Sequence, residues 1–209
     1  MPQIPNEREY RDFTLSATGT LEENEERMEV RGYASTFNEP YTLYEDDKEV
    51  IQERVSPNAF ENADMSDVIM QYDHQGRVFA RMSNGTLKVK PDDKGLQIRA
   101  ILGGTDIGRQ LYEEIKGGYT TKMSYGYKVL SDDWETRVMP DGRNLDLRTI
   151  TKIAKVYDVS AVSIPANDGT SISVRNLSDG AIERIKAERL KSLELERRKL
   201  KTKMRLGGF

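Results

Sequence analysis

The chain contains no cysteine, a single histidine and no long apolar run. Without cysteine there are no disulfides, no thiolate zinc site and no cysteine nucleophile. With one histidine, a transition-metal site would need a cluster of carboxylates, and the sequence offers none. No stretch approaches the roughly 20 apolar residues of a membrane span. Residues 1–11 are polar and lack the apolar h-region of a secretory signal. A soluble, intracellular protein without cofactor is the expectation. The net charge of −3 argues against a general nucleic-acid binder. Hydrophobic residues make up 36% and charged residues 32% of the chain, so the core should be modest. At 209 residues, one domain of ordinary size plus a tail is expected.

What is present reads mainly as β. Residues 11–17 alternate Phe13, Leu15 and Ala17 with polar neighbours, although the region also suits a loose arm. Strands are expected over 28–37, 50–55 and 68–72, the last running directly into His74. Ser56-Pro57 places a cap before proline and predicts a short helix over 57–63. Residues 86–90 and 96–102 flank Pro91-Asp92-Asp93-Lys94-Gly95, which predicts a hairpin. Thr105 caps a helix with Ile107, Leu111 and Ile115 on one face, stopped by Gly117-Gly118. Strands follow over 119–130, 134–139, 145–153 and 157–164, with a turn at Asp141-Gly142 and a stop at Pro165. These short-spaced strands and two helices give an α+β class with a mainly antiparallel, β-barrel-like core.

The composition changes near Leu177. Residues 183–205 hold ten Lys or Arg against four Glu, a local charge of +6 that leaves −9 for the rest of the chain. A long basic C-terminal helix is expected there, capped by Ser178, with a thin apolar stripe through Ile182, Ile185, Leu193 and Leu200. A solvated helix and an arm that docks on an acidic partner both fit this pattern. The organisation expected is an N-terminal arm over 1–26, a domain over 27–176 and a basic helical tail over 177–209.

Three segments carry chemistry. His74 is the only imidazole, Ser124 is a hydroxyl in a predicted strand, and Asp158 is a carboxylate in another. A serine hydroxyl is a poor nucleophile unless a base lies within hydrogen-bond reach. Imidazole, with an unperturbed pKa of about 6.5, is the usual base. A carboxylate on the far ring nitrogen fixes its tautomer. On residue pattern alone, His74 equally suits a surface hydrogen-bonding role and Ser124 a structural one. Gly126 suits close packing against the backbone, and Asp158 suits a strand-edge charge or a partner for Lys155.

Several segments, taken in order, resemble the tailed-phage prohead (capsid maturation) serine protease family. They begin with Arg31-Gly32-Tyr33-Ala34-Ser35-Thr36-Phe37, Val55-Ser56-Pro57-Asn58-Ala59-Phe60, Tyr72-Asp73-His74 and Lys94-Gly95-Leu96. They continue with Lys116-Gly117-Gly118-Tyr119, Met123-Ser124-Tyr125-Gly126-Tyr127, and Asp158-Val159-Ser160-Ala161-Val162 running into Pro165-Ala166-Asn167. The resemblance spans roughly residues 30–170. It implies kinship with herpesvirus assemblins, a β-barrel core, and an endopeptidase that cleaves scaffold or capsid-protein segments through an acyl-enzyme. Carried across, His74 becomes the general base, Ser124 the nucleophile and Asp158 the orienting carboxylate. The family usually places glutamate where this chain has Asp158, and a Pro-Leu-Gly-like turn where it has Arg77-Val78-Phe79-Ala80. The implied partners are the major capsid protein and the scaffold protein, with self-cleavage as a further activity. No membrane, specific nucleic acid or metal is implied, and the place of work is the immature prohead in the host cytoplasm. The alternative of another class is a non-catalytic scaffold or shell-binding assembly protein of the same fold.

Overall fold

The computed structural model describes residues 8–14, 28–163 and 181–205. Its larger sheet holds β1 (Glu9–Thr14), β3 (Tyr41–Glu45), β4 (Glu49–Val55), β5 (Ile69–Tyr72), β6 (Gln75–Arg81), β9 (Lys122–Val138) and β10 (Asn144–Val162). Its smaller sheet holds β2 (Glu29–Thr36), β7 (Leu87–Pro91) and β8 (Gly95–Ile101). The expected end of the first strand, Leu15 to Ala17, lies outside the described residues, as do the stop at Pro165 and the Ser178 cap.

β10 organises the larger sheet. One side pairs antiparallel with β9 along its length. The other is shared in parallel by β4, over Asn144–Ile150, and by β5, over Asp158–Ala161. Parallel neighbours need a crossover rather than a tight turn, so the sheet is mixed and not a simple meander. The path β1-β9-β10-β4-β3 does not return on itself among the described residues, and β1, β3 and β6 each pair on one side only. The barrel-like core expected from the sequence is therefore not closed among the described residues, which form two sheets. The four strands expected over 119–164 are two long ones, because register shifts near Lys152 and Val156 bend the hairpin without breaking it. The hairpin turn carries Gly142 at φ 85°, where a side chain would be strained. β3 and β6 were not expected as strands, and the helix expected over 57–63 is a single 3₁₀ turn, Pro57–Phe60.

The core lies where the two sheets face. Strict alternation in β8 buries Leu96, Ile98 and Ala100. They join Val55, Phe60, Met70, Ile150 and Val159 in one cluster. Each large aliphatic group so buried contributes about 1.5–3 kcal/mol. Helix α1 (Asp106–Lys116) covers one end. The Thr105 hydroxyl accepts the Gly108 N–H at 3.1 Å and caps it. A Cβ on Gly108 would come within 2.1 Å of the Leu102 carbonyl oxygen, so glycine lets the helix start this close to β8.

Helix α2 (Ala181–Arg205) is held at one end. Lys186 pairs with Glu49 and lies over the Tyr44 ring. Arg189 pairs with Asp146 and donates to the Thr136 hydroxyl at 2.7 Å. Beyond this clamp Leu190, Leu193 and Leu195 are exposed.

One ion cluster is buried within the larger sheet. Arg148, 2% exposed, donates to Asp132 at 2.6 Å, to Glu9 at 2.7 and 3.1 Å, and to Glu53 at 2.9 Å. Burial opposes its charge, yet Glu9 and Glu53 outweigh that and hold the guanidinium pKa well above its ordinary value.

Candidate active site

His74 sits in the two-residue turn of the β5–β6 hairpin, where Tyr72 pairs with Gln75. Asp73 and His74 have φ of 46° and 56°, the left-handed pair that a tight hairpin turn demands. Asp and His tolerate this region better than most residues. The turn is pinned to β10. The Asp73 N–H donates to the Ala161 carbonyl at 2.9 Å, and the Asp73 carboxylate accepts from the Ser163 N–H and hydroxyl, each at 2.9 Å.

Ser124 lies near the start of β9, between Asp12 of β1 and Ser160 of β10. Asp158 lies on β10 opposite Gly126 of β9 and beside Ile69 of β5. Three neighbouring elements thus converge, and the three residues expected from the sequence come together. His74 Nδ1 is 2.5 Å from Asp158 Oδ1, and His74 Nε2 is 2.6 Å from Ser124 Oγ. A carboxylate only accepts, so Nδ1 carries the hydrogen. Nε2 then presents its lone pair to the Ser124 hydroxyl, which donates. That is the tautomer in which imidazole can take a proton from serine. Ser124 and Asp158 are buried at 0% and 1% exposure, while the His74 side chain keeps 15%.

One neighbour had no role assigned from the sequence. The Ser160 hydroxyl, fully buried, donates to Asp158 Oδ1 at 3.0 Å. The signal was available: residues i and i+2 of a strand share a face. Asp73, the next carboxylate considered for orienting the imidazole, anchors the turn through Ala161 and Ser163. Lys155, the alternative partner considered for Asp158, pairs with Asp64 at 2.6 Å.

The arrangement can make an oxygen nucleophile from a hydroxyl and return its proton elsewhere. The profile of the caudovirus prohead serine proteases matches residues 16–185. The chain belongs to this family. Membership gives it a role as a protease of phage prohead maturation, working with capsid or scaffold proteins. No curated protein and no solved structure matches the chain.

Proposed function

We propose that this prohead protease is a serine endopeptidase that cleaves scaffold or capsid-protein segments through an acyl-enzyme, inside the immature shell in the host cytoplasm. The observation that carries the reading is the unbroken hydrogen-bonded chain from Ser124 Oγ through the His74 ring to Asp158. Ser124 Oγ attacks the scissile carbonyl carbon as its proton passes to His74 Nε2. Asp158 stabilises the imidazolium that forms. The proton then goes to the leaving amine nitrogen, the peptide C–N bond breaks, and the acyl group remains on Ser124. Water, deprotonated by His74, attacks the ester and releases the new carboxyl end. No cofactor enters any step.

The basic helix α2 supplies the recruiting arm in this reading. Its end nearest the body is clamped through Lys186 and Arg189. The residues after the clamp present Lys and Arg beside exposed leucines, a face suited to an acidic amphipathic segment of scaffold or capsid protein.

The test is the mass of the major capsid protein assembled with wild-type enzyme and with Ser124→Ala. Conversion to a shorter product by the wild type alone is expected. Equal masses, together with no labelling of the folded wild type by a serine-directed phosphonate, favour the non-catalytic assembly protein instead.

A further inference from the structure

Ser124 is fully buried, so a substrate carbonyl reaches its hydroxyl only after a neighbouring piece moves. β10 carries Asp158 and is paired on both sides, so it cannot leave without dismantling the site. The β5–β6 hairpin carries the base and is pinned through Asp73. β1 differs from both. Among the described residues it pairs with β9 alone, and it supplies none of Ser124, His74 and Asp158. Its register sets Asp12 opposite Ser124 and Tyr10 opposite Gly126. Opposite residues of antiparallel neighbours have Cα atoms about 4.5–5.5 Å apart, so the β1 backbone runs beside the nucleophile. An extended peptide would add to β9 along this same edge.

The strand has a specific anchor. Glu9 sits on Arg148 through two hydrogen bonds, at 2.7 and 3.1 Å, and the Arg8 guanidinium lies 3.9 Å from the centre of the Tyr157 ring. Arg148 keeps Glu53 and Asp132 when Glu9 departs, so the seat can empty without leaving a buried cation uncompensated. Three carboxylates on one guanidinium also repel one another, so relief of that repulsion offsets part of the loss of Glu9.

We propose that β1 occupies the substrate-pairing edge of β9 and must leave before a substrate segment takes its place. The segment that replaces it is an extended peptide with a carboxylate in the register of Glu9, three positions before the residue facing Ser124. This inference rests on the protease reading above. β1 is then an intramolecular competitor, and Arg148 a specificity-determining residue for the incoming strand.

The experiment follows labelling of Ser124 by a biotinylated diphenyl phosphonate in the full chain, in a variant lacking residues 1–14, and in Glu9→Gln. A strand docked nine-tenths of the time lowers apparent affinity about tenfold, so the deletion should label about tenfold faster. A synthetic peptide of residues 8–14 should slow the deletion variant competitively, and the same peptide with glutamine for Glu9 should do so less well. Glu9→Gln in the full chain should raise the labelling rate and speed hydrogen exchange of the β9 amides near Ser124. It tests the idea even where the deletion does not fold. A folded deletion variant that labels no faster, or Glu9→Gln that changes neither rate nor exchange, overturns the inference while Ser124-dependent labelling keeps the protease reading. Labelling of no form, or labelling that survives Ser124→Ala, overturns both.

Discussion

The β9–β10 hairpin carries two buried polar clusters built on different principles. Toward its turn, Arg148 is surrounded by the carboxylates of Glu53, Asp132 and Glu9. Toward its open end, Asp158 is as deeply buried but meets neutral donors, the His74 ring N–H and the Ser160 hydroxyl. Among the described residues no Lys or Arg pairs with it. The guanidinium's charge is already met by these carboxylates, so its cluster ties strands together. In the proposed mechanism the Asp158 carboxylate meets its cation when an imidazolium forms during reaction. On the proposed mechanism, equal burial thus serves ion pairing in one place and proton transfer in the other.

The sharpest break of this comparison is at the Asp158 cluster. Ser124→Ala or His74→Ala should each lower turnover by about 10⁶, with the double variant scarcely worse, because the residues act as a unit. Thermal melting should change little, since the fold does not depend on the proton path. Near wild-type cleavage by either single variant removes these roles. Asp158→Asn should cost about 10⁴, because an amide can hold the ring in the wrong tautomer and cannot stabilise imidazolium. Single-turnover cleavage of a peptide measures it, and full activity would return the orienting role to another group.

The Arg148 cluster should respond in stability instead. Arg148→Met leaves Glu53 buried without its cation, and removing one partner of a buried pair costs about 3–5 kcal/mol. Urea denaturation measures this. Adding Glu53→Gln should recover part of the loss, because the stranded charge is then gone. An unchanged midpoint for Arg148→Met would show that the cluster is not what joins β1, β4 and β9.

How much of this was legible follows the same division. His74, Ser124 and Asp158 stand in short ordered segments whose resemblance spans roughly residues 30–170, and these are the residues the proposed mechanism uses. Arg148 and Glu53 looked like ordinary polar residues of strands, because nothing local says that β4 and β10 lie side by side in parallel. The hairpin around Asp92–Gly95 and the Thr105 cap were readable because turn and cap chemistry is local. β6 was not, since Gln75, Gly76 and Arg77 are exposed and show no apolar alternation. The mixed pairing of β10 was missed for the reason Arg148 was: parallel pairing is a long-range fact without a short-range signature.

Ser160→Ala tests how far the Asp158 cluster depends on its surroundings. It removes one hydrogen bond to a buried carboxylate, a contact worth about 1.5–3 kcal/mol. Turnover should fall about three- to tenfold if half of that is expressed in the transition state. The acidic limb of the pH–rate profile should move with it, because Asp158 then leans more fully on the imidazole. Ser160→Thr should restore both. A loss of stability with an unmoved pH profile would make Ser160 merely a packing residue.

The smallest effect expected is at an exposed charge pair, which both buried clusters can be measured against. Arg81 donates to Asp67 from the last residue of β6, tying the end of the β5–β6 hairpin opposite the His74 turn. That hydrogen bond, helped by Ser83, lowers the Asp67 pKa from 3.8 to about 2. A carboxylate depressed in the folded state contributes stability above its unfolded pKa and loses it as pH falls through the folded one. The melting temperature of Asp67→Asn should therefore lie below wild type at about pH 7, and the gap should close as pH falls from about 4 to about 2. The gap should also shrink in high salt, since the two side chains remain 49% and 32% exposed. Peptide cleavage at neutral pH should hardly change, because Asp73, not Asp67, pins the turn that carries the base. A gap that persists unchanged into strong acid would show that Asp67 acts there through packing or its neutral hydrogen bonds and not through its charge.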